Sequence, residues 1–367
     1  MDNRVKVGVV GCGKISEAYF KGMRRYDILE IAACADLDLG RARAQAQAFG
    51  VARACATEEL LADPAIEIVV NLTTPQAHVA VNEQALRAGK HVYVEKPFAL
   101  DVAGGRGVLA LASAQRRRIA CAPDTFLGGG LQTCRKLIDD GAIGRPVAAL
   151  AFFMGRGHES WHPAPEFYYQ PGGGPVFDMG PYYITALVNL LGPVARVGAS
   201  SKITFPERVI TNPERLGQKI PVATPTHVTG VMDFANGTAV TIAMSFDVWP
   251  YPLPQIVLFG TDSTLEVPDP NVFRGPVRLR SKDGKTYEEI PLTHTDDRAR
   301  GSGVADLAYA VRSGRAHRAN GEMANHVVEV MAAFEKSSES QNHVRIGSTC
   351  ERPAMLPLGL APNELDP

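Results

Sequence analysis

The sequence has no surplus charge of either sign: 38 Lys and Arg stand against 39 Asp and Glu, a formal net charge of −1. That balance excludes the basic footprint by which nucleic acid or an anionic membrane surface is held. No apolar stretch reaches the roughly 20 residues that cross a bilayer as a helix. Met1-Asp2-Asn3-Arg4 runs straight into an apolar stretch with no leader pattern before it. The expectation is a cytoplasmic protein whose partners are neither nucleic acids nor membranes. Cysteine is sparse, with six at positions 12, 34, 55, 121, 134 and 350 and no CxxC pair. Several fall inside predicted strands, so a reducing compartment fits better than a disulfide framework. Internal repeats and low-complexity runs are absent, although 35 Gly and 26 Pro imply many turns.

A clustered metal-ligand set is also missing. His158-Glu159-Ser160-Trp161-His162 matches the zinc-protease pattern HExxH, but that pattern works only where a helix puts both histidines on one face. Gly155 and Gly157 before it and Pro163 and Pro165 after it argue against a helix, and no metal is expected. The segment reads instead as a polar, aromatic loop suited to a sugar. Arg156, His158, Trp161, His162, Tyr168 and Tyr169 supply ring faces and hydrogen-bonding groups. The alternative is that the Trp and Tyr side chains anchor a long loop to the core.

What is present is organised in two textures. Residues 5–10, 29–35, 66–72, 91–95 and 119–122 are short β-branched runs, and 15–24, 40–49, 57–61, 76–88 and 102–115 are amphipathic. Strands alternating with helices predict a doubly wound parallel sheet with right-handed crossovers. After Asp124, a helix over 131–139 is followed mostly by strand signals, over 147–154, 195–204, 227–234, 238–246, 255–260, 263–267 and 277–281. Helices are predicted over 181–191, 303–313 and 322–337. Asn236-Gly237 between two alternating runs is a strong hairpin signal, and Asp283-Gly284 is a second turn. The fold class is therefore α/β: an N-terminal Rossmann-type domain over 1–124, then an α+β domain over 125–345 with a large, mostly antiparallel open sheet. Residues 346–367 read as an ordered tail on the surface.

Gly8-Val9-Val10-Gly11-Cys12-Gly13-Lys14-Ile15-Ser16 joins the first strand to the first helix. Gly11 and Gly13 let the backbone turn tightly and approach a pyrophosphate at a helix N-terminus, with Lys14 and Ile15 beside it. The third small position is Ser16. Asp36 closes the next strand, placed to accept hydrogen bonds from ribose hydroxyls and to repel a 2′-phosphate, which favours NAD over NADP. Glu95-Lys96-Pro97 ends a later strand of the same sheet, where the side chain of Lys96 points into the ligand crevice. Downstream, Gly172-Gly173-Gly174-Pro175-Val176-Phe177-Asp178-Met179-Gly180-Pro181-Tyr182-Tyr183 offers an acid and a phenol to complete that site. Asp178 also reads as an N-cap for a helix starting near Pro181. One of the two adjacent tyrosines belongs to the core. Asp124 is a further substrate-contact candidate.

The run Asn71-Leu72-Thr73-Thr74-Pro75-Gln76-Ala77-His78, then Ala85-Leu86-Arg87-Ala88-Gly89-Lys90-His91-Val92, then Glu95-Lys96-Pro97, in this order after the glycine turn, resembles the glucose–fructose oxidoreductase / inositol dehydrogenase / MocA family. The resemblance covers nearly the whole chain. It implies NAD(P)-dependent oxidation or reduction of sugars, inositols or related carbonyls, and homodimers or homotetramers formed through the open sheet. It implies that Lys96 is the catalytic lysine, held in place by Glu95 and Pro97, and that Thr73, Pro75 and His78 form the loop beside the nicotinamide. Asp178 matches the acid of the family's Asp-x-Gly-x-His pattern, with Tyr182 at the histidine position as in some branches. Lys96, Tyr182 or the pair then serves as acid and base, with Asp178 orienting substrate and lysine. An ordinary lysine, with a pKa near ~10.4, has to be tuned for that task, and partial burial beside a positive nicotinamide does so.

Three functions compete. The leading one is an NAD-dependent dehydrogenase of a sugar, inositol or glycoside. The second is a glycoside-cleaving enzyme that retains NAD and oxidises a hydroxyl only transiently. The third is a silent NAD(H)-binding sensor.

Overall fold

The structure, a computed structural model, describes residues 3–249 and 252–366. By contacts the chain forms two units, one made of residues up to Gln132, Leu292–Val328 and Pro353 onward, the other of Thr133–Pro291 and Glu329–Arg352. No helix among the described residues is long and apolar enough to cross a membrane. All six cysteines are free and buried.

In chain order the first unit contains β1 (Val5–Val10), α1 (Ser16–Met23), β2 (Leu29–Ala35), α2 (Leu39–Phe49), β3 (Arg53–Cys55), α3 (Thr57–Ala62), β4 (Ile68–Asn71), α4 (His78–Arg87), β5 (His91–Val94), α5 (Val102–Ala114) and β6 (Ile119–Cys121). The strands form one parallel sheet in the order β3-β2-β1-β4-β5-β6. Val5, Val7, Val9, Ile68, Val69, Val70, Val92 and Val94 are essentially inaccessible, as expected of strands covered by helices on both faces. Side chains end the helices cleanly. Asp38 caps the amides of Gly40 and Arg41 at α2, Gly50 closes that helix at φ 52°, and Asp101 caps Gly104 at α5.

The second unit follows with α6 (Gly129–Asp139), β7 (Pro146–Met154), α7 (Gly174–Leu191), β8 (Val194–Lys202), β9 (Glu207–Val209), β10 (Lys219–Pro221), β11 (His227–Phe234), β12 (Ala239–Ser245), β13 (Ile256–Gly260), β14 (Ser263–Val267), β15 (Val277–Ser281) and β16 (Glu288–Ile290). After it come α8 (Ser302–Ser313), which belongs to the first unit, then α9 (Gly321–Ser340) and β17 (Val344–Arg345). The large sheet has nine strands in the order β16-β15-β14-β13-β7-β12-β11-β8-β17, and only the β7–β12 pair is parallel. Asn236-Gly237 does form the β11–β12 hairpin, with Gly237 at φ 88° and Thr238 N–H donating to Asn236 Oδ1 at 2.9 Å. The buried α7 packs on β7, β11 and β12. On the sheet's other face Val231, Thr241, Leu150 and Val257 stand in one cross-strand row.

Three expectations need correction. Helix α7 starts at Gly174, not near Pro181, so Pro175 is the first-turn proline and Pro181 lies inside the helix. Asp178 is consequently a helical residue and not an N-cap. Pro181 brings no N–H to the Phe177 carbonyl, and burial of the helix in the sheet outweighs that local loss. Contiguous boundaries at 124 and 345 also do not match the contacts. Cys121 N–H donates to Ala319 O at 2.9 Å, and the tail returns Leu356 N–H to Gln132 Oε1 at 2.7 Å. Leu356 and Leu365 are buried while most of the last segment is exposed or half-buried, so the tail lies on the surface and inserts single anchors into the core. The short strands β3, β9, β10, β16 and β17 were not anticipated, because two to three residues carry no usable periodicity.

Burial holds several imidazoles of the first unit neutral. It pushes His78 and His317 below the ordinary 6.5. His91 falls to about 4, through burial first and then the neighbouring Arg117 and Arg118 guanidinium groups. The unfolded chain takes up these protons near pH 6.5 and the folded chain does not, so unfolding is favoured as pH falls. Stability should be complete above about pH 6.5 and decline towards pH 4. Melting temperature measured across that window checks this: His91→Gln should flatten part of the slope, and a level profile in the parent protein contradicts it.

Candidate active site

The strand order of the first sheet reverses between β1 and β4, which opens a crevice at their carboxyl ends. Gly11 lies there at φ 98°, so close to the next loop that a Cβ would sit 2.6 Å from the Leu72 carbonyl. Beside Gly13, by contrast, a Cβ would meet nothing within 4 Å, and Lys14 and Ile15 are exposed. Backbone is therefore presented to open space at the amino end of α1, as a pyrophosphate requires. Ser16 is buried and donates its hydroxyl to Gly13 O at 2.6 Å, which explains why a serine serves as the third small residue. Asp36 Oδ2 accepts from Cys12 N–H at 2.8 Å and Oδ1 from Asp38 N–H at 2.9 Å. Arg41 stands 3.8 Å from Oδ1. Two backbone donors fix this carboxylate at the end of β2, and each oxygen has a lone pair left for a further donor. The donor and acceptor set fits a dinucleotide.

Lys96 follows β5 and is half-buried, with a cis bond to Pro97. Its neighbour Glu95 accepts from Tyr19 O–H at 2.8 Å and from Lys96 N–H at 2.8 Å, while Glu95 N–H donates to Asn71 O at 2.9 Å. Burial, then the Glu95 charge, raise the Tyr19 pKa, so the phenol stays a donor. His78 is fully buried, with Nδ1 2.7 Å from Pro97 O and Nε2 3.1 Å from Thr73 O. A neutral imidazole carries one N–H and can donate to only one of these carbonyls. Asn71 accepts from Thr73 N–H and Thr73 Oγ1–H, and donates to Asn82 Oδ1 at 2.8 Å. Among the residues expected to bind cofactor, Thr73 and Pro75 reach the surface. Glu95 and His78 stand behind Lys96 and Thr73 as struts.

Asp124 is not a wall of the crevice. It is 0% exposed, and its Oδ2 accepts from Gly301 N–H at 3.0 Å and Gly303 N–H at 2.9 Å, capping α8. Burial raises its pKa. The cap joins residues 177 positions apart, which no local pattern announces.

In the second unit, residues 158–162 form a turn and not an α-helix, as the flanking glycines and prolines predict. His158 Nε2 lies 3.1 Å from Asp178 Oδ2, and the imidazole packs against Tyr168 with ring centres 3.8 Å apart. Trp161 and His162 continue the aromatic cluster, and Trp161 is 55% exposed. Arg156 lies over Trp249 at 4.8 Å and donates to Asp247 O at 3.0 Å. Tyr169, Tyr182 and Tyr183 are all buried, with Tyr183 edge-on to Phe153. The organiser of this loop went unnoticed in the sequence. Arg208, 5% exposed, pairs with Glu159 and donates to Asp247 Oδ1 at 2.6 Å and Arg156 O at 2.5 Å. It sits on β9, a three-residue strand without a motif.

Two family profiles match: "Oxidoreductase family, NAD-binding Rossmann fold" over residues 5–122 and "GFO/IDH/MocA C-terminal domain" over 131–266. The chain belongs to the GFO/IDH/MocA oxidoreductase family. An uncharacterized oxidoreductase of Schizosaccharomyces pombe is 32% identical over 45% of this chain and 47% of its own length. The D-apiose dehydrogenase of Paraburkholderia graminis is 31% identical over 39% of this chain and 38% of its own. The matches thus span about half or less of these curated relatives. The crystal structure of an NAD-binding oxidoreductase from Klebsiella pneumoniae has the same fold at a TM-score of 0.83 and 21% identity, covering 94% of this chain and 99% of that one.

Proposed function

We propose that this protein is an NAD-dependent oxidoreductase that moves a hydride between a nicotinamide and a secondary hydroxyl or carbonyl of a sugar, inositol or glycoside. The observation that carries the reading is a single sheet bearing a glycine turn open at Gly13, a backbone-held Asp36 and Lys96 at the carboxyl end of β5. The relative named for D-apiose supports a carbohydrate substrate. Gly11, Gly13, Lys14 and Ile15 would hold the pyrophosphate, and Asp36 the adenosine ribose. The bound dinucleotide supplies the hydride chemistry. Lys96 Nζ or the Tyr182 hydroxyl takes the substrate's hydroxyl proton, Asp178 orients the hydroxyl, and the loop carrying Arg156, Trp161, His162 and Tyr168 grips the ring.

The test is NADH appearance across a panel of sugars, inositols, sugar acids and glycosides, with NAD⁺ and NADP⁺ in parallel. Turnover with NAD⁺ is expected. Asp36→Asn leaves one backbone donor without its acceptor and removes the charge that repels a 2′-phosphate. It should raise KM for NAD⁺ by about tenfold, the equivalent of one charge-assisted hydrogen bond, and narrow the gap to NADP⁺. Wild-type preference for NADP⁺ would refute the role of Asp36. Copurifying NAD with no free NADH from any substrate would move the retained-cofactor lyase ahead.

A further inference from the structure

The histidine nearest Asp178 comes from outside its own helix. His158, on the loop after β7, places Nε2 3.1 Å from Asp178 Oδ2, and both side chains are nearly buried, at 10% and 13% exposure. The other ring nitrogen, Nδ1, is buried and has no hydrogen-bond partner among the described residues. Tyr168, Phe246 and Trp161 enclose the ring at centroid distances of 3.8, 4.8 and 5.3 Å. A proton on Nδ1 would leave a donor unpaired in an apolar cage and set a lone pair against a carboxylate oxygen. A proton on Nε2 satisfies the carboxylate and leaves only an acceptor unpaired, so the cage selects the Nε2–H tautomer.

The loop is built to hold this ring. Gly157 adopts φ 91°, and a Cβ there would meet Tyr169 Oη at 2.3 Å. Glu159, next in sequence, is locked by Arg208 and accepts from Thr211 N–H at 3.1 Å and Asn212 N–H at 2.9 Å through its carbonyl. Asn212 Nδ2–H also donates to His162 O at 2.9 Å. Four bonds to β9 and the segment after it thus fix the residues that follow His158, and Arg208 donates to Arg156 O before it. The loop that carries the imidazole is therefore fixed by bonds that do not involve Asp178.

We propose that His158 is the positioning residue of Asp178: its Nε2–H holds the carboxylate in one rotamer, so that the acid meets the substrate already oriented. The proposal rests on the oxidoreductase reading for its kinetic consequence. It also accounts for Tyr182 at the place where the family pattern has histidine, because an imidazole reaches the same acid from a different element.

Two variants and one spectrum test it on the full chain. His158→Leu fills the cage but offers no donor, while His158→Gln carries an amide N–H at the reach of Nε2. With a substrate from the panel, His158→Leu should lower kcat about 100-fold, the scale of a misplaced catalytic group, with KM for NAD⁺ unchanged. His158→Gln should recover most of that loss. Equal losses in both variants, or none in His158→Leu, overturn the proposal. The second arm needs no turnover: ¹⁵N imidazole NMR of the wild type should show the His158 resonance, identified by its absence in His158→Gln, as the Nε2–H tautomer. An Nδ1–H or mixed signature overturns the pairing even if His158→Leu fails to fold. Wild-type protein inactive on the whole panel, yet with the Nε2–H signature, would refute the function and leave the pairing standing.

Discussion

Lys96→Met is expected to lower kcat by on the order of 10³, within the range of a lost acid–base group, while NAD⁺ still binds. Methionine keeps the length and apolar stem of lysine and removes the ammonium. The strand end around it is also held by other groups. Glu95 is held by Tyr19 O–H and by the backbone N–H of residue 96, and Pro97 O is met by His78, so the strand end should keep its shape. Tryptophan or NADH fluorescence titration gives the binding constant, and steady-state kinetics gives kcat. Full activity in Lys96→Met would assign the proton to another group, with Tyr182 the first candidate. Loss of NAD⁺ binding along with turnover would make the lysine a cofactor ligand.

The largest stability loss is expected at Asp306, far from the lysine in sequence. Its carboxylate is fully buried and accepts from Arg318 Nη1–H at 2.6 Å, Arg315 Nη2–H at 2.9 Å and Arg318 N–H at 2.5 Å. Arg318 also donates to Asp366 Oδ2 at 2.8 Å and to Ala354 O at 2.9 Å. These bonds tie the final segment to α8. Asp306→Ala strips one carboxylate from the Arg318 guanidinium, which is 4% exposed, and orphans the Arg318 amide. Breaking a buried pair from one side costs about 3–5 kcal/mol. Urea unfolding should show that loss, and limited proteolysis should cut the released segment after residue 350. A change of under about 1 kcal/mol, the size of an exposed pair, would mean that the network is solvated in solution.

The sequence made the first sheet plain because each strand is a β-branched run buried on both faces, and such runs need no partner to be recognised. Val5–Val10 and Leu29–Ala35 fall where the residues predict them, and so does the β11–β12 hairpin at Asn236-Gly237. The glycine turn and Asp36 were legible for the same local reason: spacing along one strand–turn–helix unit fixes them. What stayed hidden depends on distant pairing. Asp124 looked like a site residue until Gly301 and Gly303 claimed its carboxylate. Arg208 braces a loop 49 residues upstream through Glu159, with no local sign of it. Two prolines six residues apart competed to start α7, and first-turn preference alone could not choose between Pro175 and Pro181. His158 was noticed as a loop residue, but its pairing with Asp178 depends on how that loop folds back.

The first unit draws on residues 292–328 and those from Pro353 onward, and this sets when it can complete its fold. Arg312 donates to Arg4 O across 308 positions, and Leu356 to Gln132 across 224. A nascent chain that has emerged through Pro291 holds all six strands of the nucleotide sheet, yet β6 still waits for Ala319 and Asn320 to cover its open edge. Uncovered strand edges invite wrong pairings, and closures of this span are slow. The first sheet therefore gains the cover of its β6 edge only once Asn320 is made, and a chaperone holding the chain would find its binding site at that edge.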